Sequence, residues 1–72
     1  MNKKEFLKKF QDILQTDVEL SPDTCLLDLE EWDSLATIST IAFLDSNFGL
    51  KISVEEVQDF NTITDITNKI GL

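Results

Sequence analysis

A serine hydroxyl beside an acidic residue is the most concentrated chemical signal in this 72-residue chain. Ser34 stands between Asp33 and Leu35, at the point where an apolar-periodic segment begins. A serine nucleophile needs a neighbouring base, which is commonly histidine, and the chain contains no histidine. No lysine lies within a helical turn of Ser34 either, so serine catalysis has little support. The remaining roles for this serine are to cap a helix or to carry an attached group, because a helix N-terminus favours the negative charge of a phosphodiester.

Other kinds of site are also poorly supported. Acidic residues are scattered along a chain too short to enclose a substrate cleft, which argues against acid–base catalysis by paired carboxylates. Residues 28–33 place carboxylates close together, but they lack the alternate spacing and central glycine of a calcium loop. Cys25 is the single cysteine, so no internal disulfide can form and a buried or half-buried thiol is predicted. We expect no metal site and no catalytic residue.

The charge distribution indicates the kind of partner. Fourteen acidic residues against six lysines give a formal net charge of −8. Four of the lysines oppose only Glu5 within the first nine residues, so the rest of the chain carries −11. Such a surface repels nucleic acid and attracts basic patches on proteins, although acidity can also simply keep a small domain dissolved. We expect protein partners and no nucleic acid.

Length and hydropathy predict one folded domain over residues 1–72. A hydrophobic fraction of 42% is too high for a disordered tail. No apolar run approaches the roughly 18 residues that span a bilayer, and no signal-peptide pattern opens the chain. We therefore expect a cytoplasmic monomer without membrane insertion.

Apolar residues recur with helical spacing in the first two-thirds of the chain. Phe6, Phe10 and Ile13 fall at i, i+4 and i+7, which predicts a first helix over about residues 3 to 15. A second helix is predicted from about Ser34 to Asn47. The apolar stripe expected on the second helix comprises Leu35, Ile38, Ile41, Ala42, Leu44 and Phe48.

The remaining segments complete a helical bundle. Residues 16–33 lose the helical period and are typical of a long ordered loop, whose expected core anchors are Leu20, Leu26, Leu27, Leu29 and Trp32. Ser53-Val54-Glu55-Glu56 matches a capping box that begins a short third helix ending near Phe60. A final helix is predicted from Thr62, since its isoleucines have helical spacing; the alternative is a strand over residues 62–67. The predicted fold is all-α, a bundle of three main helices and one short helix with a long first loop.

The residues around Ser34 resemble a known family. Asp33-Ser34-Leu35 is similar to the Asp-Ser-Leu signature of acyl carrier proteins, in which the serine hydroxyl is esterified with 4′-phosphopantetheine. Leu26 and Leu29 precede the signature as loop anchors do in that family. From Asp33 to about Ile70 the chain follows the family pattern without a gap.

This resemblance implies a carrier protein. A phosphopantetheinyl transferase would move the arm from coenzyme A to Ser34 and would recognise the turn that contains Asp33 and Leu35. The arm would then carry an acyl or aminoacyl group as a thioester to loading and transfer enzymes with basic or apolar docking patches. These enzymes would belong to fatty-acid or to specialised lipid or metabolite biosynthesis. The alternative is an acidic helical adaptor in which Ser34 only caps a helix or is phosphorylated.

The second helix departs from the pattern of fatty-acid-synthesis carriers. Those carriers have several acidic residues along this helix, whereas only Asp45 remains here after Asp33. The departure predicts a carrier dedicated to a specialised pathway, with more apolar partner contacts. The expected partner contacts are Trp32, Ala36, Thr37, Asp45, Glu55 and Glu56. Four apolar residues could shelter an alkyl chain between helices, although ordinary core packing is their favoured role: Ile38, Ala42, Ile52 and Ile63.

Overall fold

The computed structural model describes residues 1–72, and all of its regular elements are helices. The elements are α1 (Lys3–Leu14), a 3-10 helix (Leu26–Asp28), α2 (Ser34–Phe48), α3 (Val54–Gln58) and α4 (Ile63–Ile70). The predicted all-α fold with three main helices, one short helix and a long first loop is confirmed. None of the helices is both long enough and apolar enough to cross a membrane.

The helices enclose one core of 13 buried apolar residues. On α1, Phe6 and Phe10 are completely buried, because positions i and i+4 lie on the same face of a helix. The ring centroid of Phe6 is 5.8 Å from that of Phe43, in the second half of α2, while Phe10 is 6.2 Å from Trp32, before α2 begins. Helices α1 and α2 are therefore antiparallel, and the end of α1 lies near the beginning of α2.

The buried face of α2 differs from the predicted stripe. Leu35 and Ile38 are 72% and 58% exposed, so the expectation that both pack in the core is wrong. The buried residues of α2 are Ala36, Thr37, Thr40 and Leu44. Apolar residues surround this helix, so periodicity did not define one face, and packing against α1 and α3 selected it. Thr40 is tolerated at full burial because its hydroxyl donates to the carbonyl oxygen of Ala36 at 2.8 Å.

The first loop is tied to the beginning of α4. Cys25 and Thr62 form a single antiparallel bridge, which is flanked by backbone hydrogen bonds of 2.8 and 3.3 Å. The hydroxyl of Thr64 donates to the carbonyl oxygen of Pro22 at 2.7 Å. The alternative of a strand over residues 62–67 is wrong, since only Thr62 pairs and the chain is helical from Ile63. Cys25 is a half-buried free thiol, as predicted.

Four of the five expected loop anchors contact the core. Leu20, Leu26 and Leu29 are buried, and Trp32 is half-buried against the core. Leu27 is 69% exposed, so its assignment as an anchor is wrong. Successive residues of a 3-10 helix point about 120° apart, so the turn that buries Leu26 directs Leu27 to solvent.

Asp65 holds the junction between α3 and α4. Its Oδ2 accepts hydrogen bonds from the backbone N–H of Asn61 at 2.8 Å and from that of Thr62 at 3.1 Å. These two bonds favour the charged carboxylate and hold the pKa of Asp65 below its ordinary value, Asn61 being the larger cause. The carboxylate thus closes the N-terminus of α4 and the turn before it.

We expect Asp65→Asn to lower the free energy of unfolding at pH 7 and to weaken its acid dependence. A lowered pKa in the folded state means that the stabilising contribution is fully present above the ordinary pKa and is lost as the pH falls through the folded value. The wild-type chain therefore loses this contribution below about pH 4, whereas the variant has no charge at this position to lose. Urea denaturation at several pH values measures the difference.

The matched control is Asp59→Asn, which changes an exposed carboxylate without a hydrogen bond in the chain. This control should keep the acid dependence of the wild type. If Asp65→Asn and Asp59→Asn lose stability with acid equally steeply, the Asp65 carboxylate does not have this role.

Candidate functional site

Asp33 caps the N-terminus of α2. Its Oδ1 accepts a hydrogen bond from the backbone N–H of Ala36 at 2.9 Å, and its backbone is extended at φ −122° and ψ −171°. Its carbonyl oxygen accepts from both the N–H and the hydroxyl of Thr37 at 3.0 Å. A carboxylate at this position also interacts favourably with the helix dipole. Ser34 is the first residue of the helix, so the alternative in which Ser34 is only the cap is wrong.

The Ser34 hydroxyl is left free by this arrangement. The side chain is exposed, and its oxygen makes no hydrogen bond within the chain. The backbone N–H groups of Ser34 and Leu35 also have no acceptor in the chain. An exposed hydroxyl beside free N–H groups at the positive end of a helix dipole suits a phosphodiester, whose oxygens accept hydrogen bonds and carry negative charge.

Two surface grooves flank this position. The first, here named the Ser34 groove, has a volume of about 320 Å³ and contains Ser34 itself. The residues that line it are Leu27, Trp32, Asp33, Ser34, Thr37 and Gln58. The second, here named the α1 groove, has a volume of about 330 Å³ and lies between the end of α1 and the beginning of α2. Its lining includes Leu14, Gln15, Glu31, Asp33, Leu35 and Ser39.

The two grooves differ in electrostatic character. The α1 groove contains the carboxylates of Glu31 and Asp33, and it lies at the end of α1, where backbone carbonyls give the helix dipole its negative pole. The Ser34 groove contains Asp33 as its single charged residue. No lysine lines either groove, and no group of three or more metal-binding side chains occurs in the chain.

The expected partner contacts differ in how far they are exposed. Ala36 and Thr37 are only 6% and 4% exposed, because both face the core from the first turn of α2. Each reaches the surface only as part of a groove lining, Ala36 in the α1 groove and Thr37 in the Ser34 groove, so contact of either residue with a partner stays a prediction. Trp32 is half-buried, and its ring packs at 60° to that of Phe10. It therefore anchors the loop and lines the Ser34 groove at the same time.

The three acidic candidates are exposed. Asp45 pairs with Lys51 at 3.8 Å, and Glu56 pairs with Lys69 at 3.6 Å, while Glu55 has no ion pair. Exposed pairs of this kind contribute about 0–1 kcal/mol and exchange readily with solvent. They do not prevent Asp45 and Glu56 from contacting a basic partner.

Three exposed or groove-lining residues were missed as site residues by sequence reasoning. Leu27 was assigned to the core, Ile38 was assigned to the core or to a shelter for an alkyl chain, and Gln58 was not considered. The surplus of apolar residues around α2 was a signal for Ile38, because a bundle this small cannot bury every side of a helix. Nothing in the sequence pointed to Gln58, which enters the site only because α3 packs beside α2.

The four residues considered as shelter for an alkyl chain do not line one groove. Ile63 and Ile52 are core residues with exposures of 0% and 8%, so their favoured role in core packing is confirmed. Ile38 is 58% exposed, and Ala42 is also exposed, so the expectation of core packing is wrong for these two residues.

Comparison with known proteins identifies the family of the chain. A family model described as the phosphopantetheine attachment site matches residues 4–70, which is nearly the whole chain. No curated protein and no solved structure matches the chain. The free hydroxyl and N–H groups at the beginning of α2 are compatible with such a group. The chain therefore belongs to the phosphopantetheine attachment-site family, and it is a carrier protein that receives 4′-phosphopantetheine from a phosphopantetheinyl transferase.

Proposed function

We propose that Ser34 is the attachment residue and that the chain carries acyl or aminoacyl groups between enzymes. When bound, the phosphopantetheine group supplies a terminal thiol that holds the cargo as a thioester. The observation that carries this assignment is the exposed, unbonded hydroxyl of Ser34 beside the capping carboxylate of Asp33. Residues 1–72 would act as one carrier domain.

The chain contributes position rather than acid–base chemistry to the loading reaction. It has no histidine, and neither groove beside Ser34 contains a lysine. The carboxylate beside Ser34, that of Asp33, is engaged by the N–H of Ala36, and we propose that the transferase supplies the base that takes the hydroxyl proton. The cap formed by Asp33 keeps the first turn of α2 rigid and its N–H groups directed outward, which places the hydroxyl reproducibly for the transferase.

The surface around Ser34 supports a partner with an apolar patch and a basic rim. Leu27, Leu35 and Ile38 are the exposed large apolar residues near the attachment position. Acidic residues precede it in the loop, and they are Asp28, Glu30, Glu31 and Asp33. Apolar contact at the centre with charge at the edge is the usual composition of a specific interface. We propose acyl- or aminoacyl-handling enzymes of a specialised pathway as partners; a cytoplasmic monomer stays a prediction.

An acidic adaptor regulated by phosphorylation of Ser34 is the second candidate. The same exposed hydroxyl at the N-terminus of α2 would also suit a phosphate group, which is favoured by the helix dipole. The two functions differ in the group that Ser34 receives and in the enzyme that adds it.

Intact-protein mass after incubation with coenzyme A and a phosphopantetheinyl transferase distinguishes these functions. We expect the chain to gain one phosphopantetheinyl group, and Ser34→Ala to gain none because the hydroxyl is removed. Ser39→Ala is the matched control, since Ser39 lies in the next turn of the same helix, and it should be loaded normally. A gain of mass by Ser34→Ala, or no gain by the wild type, would contradict the assignment.

The role of Asp33 as the cap is tested by the stability of two alanine variants. Asp33→Ala should lower the free energy of unfolding by about 1 kcal/mol, because the N–H of Ala36 loses its acceptor. Ser34→Ala should change it by less than about 0.5 kcal/mol, because the Ser34 side chain makes no hydrogen bond. Urea denaturation measures both values, and the opposite order would return the capping role to Ser34.

Partner choice is tested by adding acidic residues to the exposed surface of α2. Ile38→Glu should raise the rate at which enzymes of fatty-acid synthesis transfer acyl groups to the carrier that bears its phosphopantetheine arm. The rate should rise by up to roughly fivefold, because one exposed ion pair contributes about 0.2–1 kcal/mol. The gain should shrink at high salt, where exposed charges are screened. Ala42→Glu, one turn further from Ser34 on α2, is the control for charge alone. Equal rates for Ile38→Glu and the wild type would refute a charge-based explanation of specialisation.

A further inference from the structure

The Ser34 groove has one apolar wall beside the attachment position. Leu27 and Trp32 form this wall, and Leu27 is 69% exposed. The Trp32 ring packs against that of Phe10, which belongs to the core. The indole is therefore held in place rather than mobile on the surface. An exposed leucine beside a fixed indole leaves apolar surface in contact with water, which any attached apolar group could cover.

The same groove has unpaired hydrogen-bonding groups. The side-chain amide of Gln58 and the indole N–H of Trp32 make no hydrogen bond within the chain. The hydroxyl of Thr37, by contrast, is already bonded to the carbonyl oxygen of Asp33 at 3.0 Å. The amide N–H groups and oxygen of Gln58 and the indole N–H of Trp32 are therefore free to bond a ligand. This combination suits a ligand that has both methyl groups and amides.

We propose that the Ser34 groove holds the pantetheine part of the arm between encounters with partner enzymes. This inference rests on the proposed attachment at Ser34. Pantetheine contains a carbon with two methyl groups and two amide bonds, which match the wall of Leu27 and Trp32 and the free amide of Gln58. A covalent tether raises the effective concentration of the arm at the groove, so a shallow groove is enough.

Charge favours this groove over the α1 groove. The arm begins with a phosphodiester, which carries a negative charge. The α1 groove would oppose that charge with the carboxylate of Glu31 and with the negative end of the α1 dipole. In the Ser34 groove the single carboxylate is that of Asp33, which is already engaged by the N–H of Ala36.

Trp32 is the only tryptophan, so its fluorescence reports directly on the groove. The experiment compares quenching of Trp32 emission by acrylamide in the unloaded chain and in the chain loaded with coenzyme A and a transferase. Complete loading is verified by intact mass. The acrylamide quenching constant of Trp32 should be roughly twofold lower in the loaded chain if the arm occupies the groove about half of the time.

Variants on each side of Ser34 provide the controls. Gln58→Ala should abolish the protection while still being loaded, because Gln58 is exposed and lies outside the apolar patch proposed for partners. Leu27→Ala should also abolish the protection, and its quenching is compared only after complete loading has been verified by intact mass. Ser39→Ala changes the α1 groove instead and should keep the protection. Ser34→Asp adds a negative charge without an arm, and it should be quenched as strongly as the unloaded chain.

The outcomes separate this inference from the proposed function. A fully loaded chain that is quenched as strongly as the unloaded chain would refute docking of the arm and leave attachment at Ser34 standing. Protection that survives both Leu27→Ala and Gln58→Ala, or that Ser34→Asp reproduces, would also refute it. Absence of any phosphopantetheinyl mass would overturn the attachment and this inference together.

Discussion

The hydrogen bond from the N–H of Ala36 to the carboxylate of Asp33 is the interaction on which the candidate site depends. It makes Asp33 the cap and therefore leaves the next residue, Ser34, with a free hydroxyl at the positive end of α2. If Ser34 capped the helix, its oxygen would be engaged by a backbone N–H. The aspartate and the serine of the signature thus have separate physical roles, one holding the helix end and the other remaining available for modification.

The first loop forms the rest of the site because it is fastened to α4. The bridge between Cys25 and Thr62 and the bond from Thr64 to Pro22 hold the loop at a point far along the sequence. With the loop fixed, its 3-10 turn exposes Leu27 beside Ser34, and Trp32 packs on the core at the edge of the groove. A long loop in a small domain costs conformational entropy, and these contacts offset that cost.

Charge and apolar surface are distributed unevenly around Ser34. Acidic residues precede Ser34 in the loop, whereas the exposed positions Leu35 and Ile38 of α2 are apolar. Asp45, the single acidic residue within α2, pairs with Lys51, and Glu56 pairs with Lys69, so the exposed side of α2 has little unpaired negative charge. Apolar contact near Ser34 would accordingly contribute more to affinity than long-range attraction does.

The sequence by itself determined the helices, the long loop and the position of Ser34. Local signals are strong there: Phe6 and Phe10 repeat at helical spacing, Ser53 accepts from the N–H of Glu56 as its capping pattern predicts, and Asp33-Ser34-Leu35 lies at a helix start. Only the tertiary structure decided which side of α2 is buried, whether Leu27 is exposed, and that Gln58 lies near Ser34. Helical periodicity cannot choose a face when apolar residues surround the helix, and no local signal specifies contacts between distant segments. Packing of α1 and α3 against α2 selects its buried side and brings Gln58 near Ser34, while the 3-10 turn that buries Leu26 exposes Leu27.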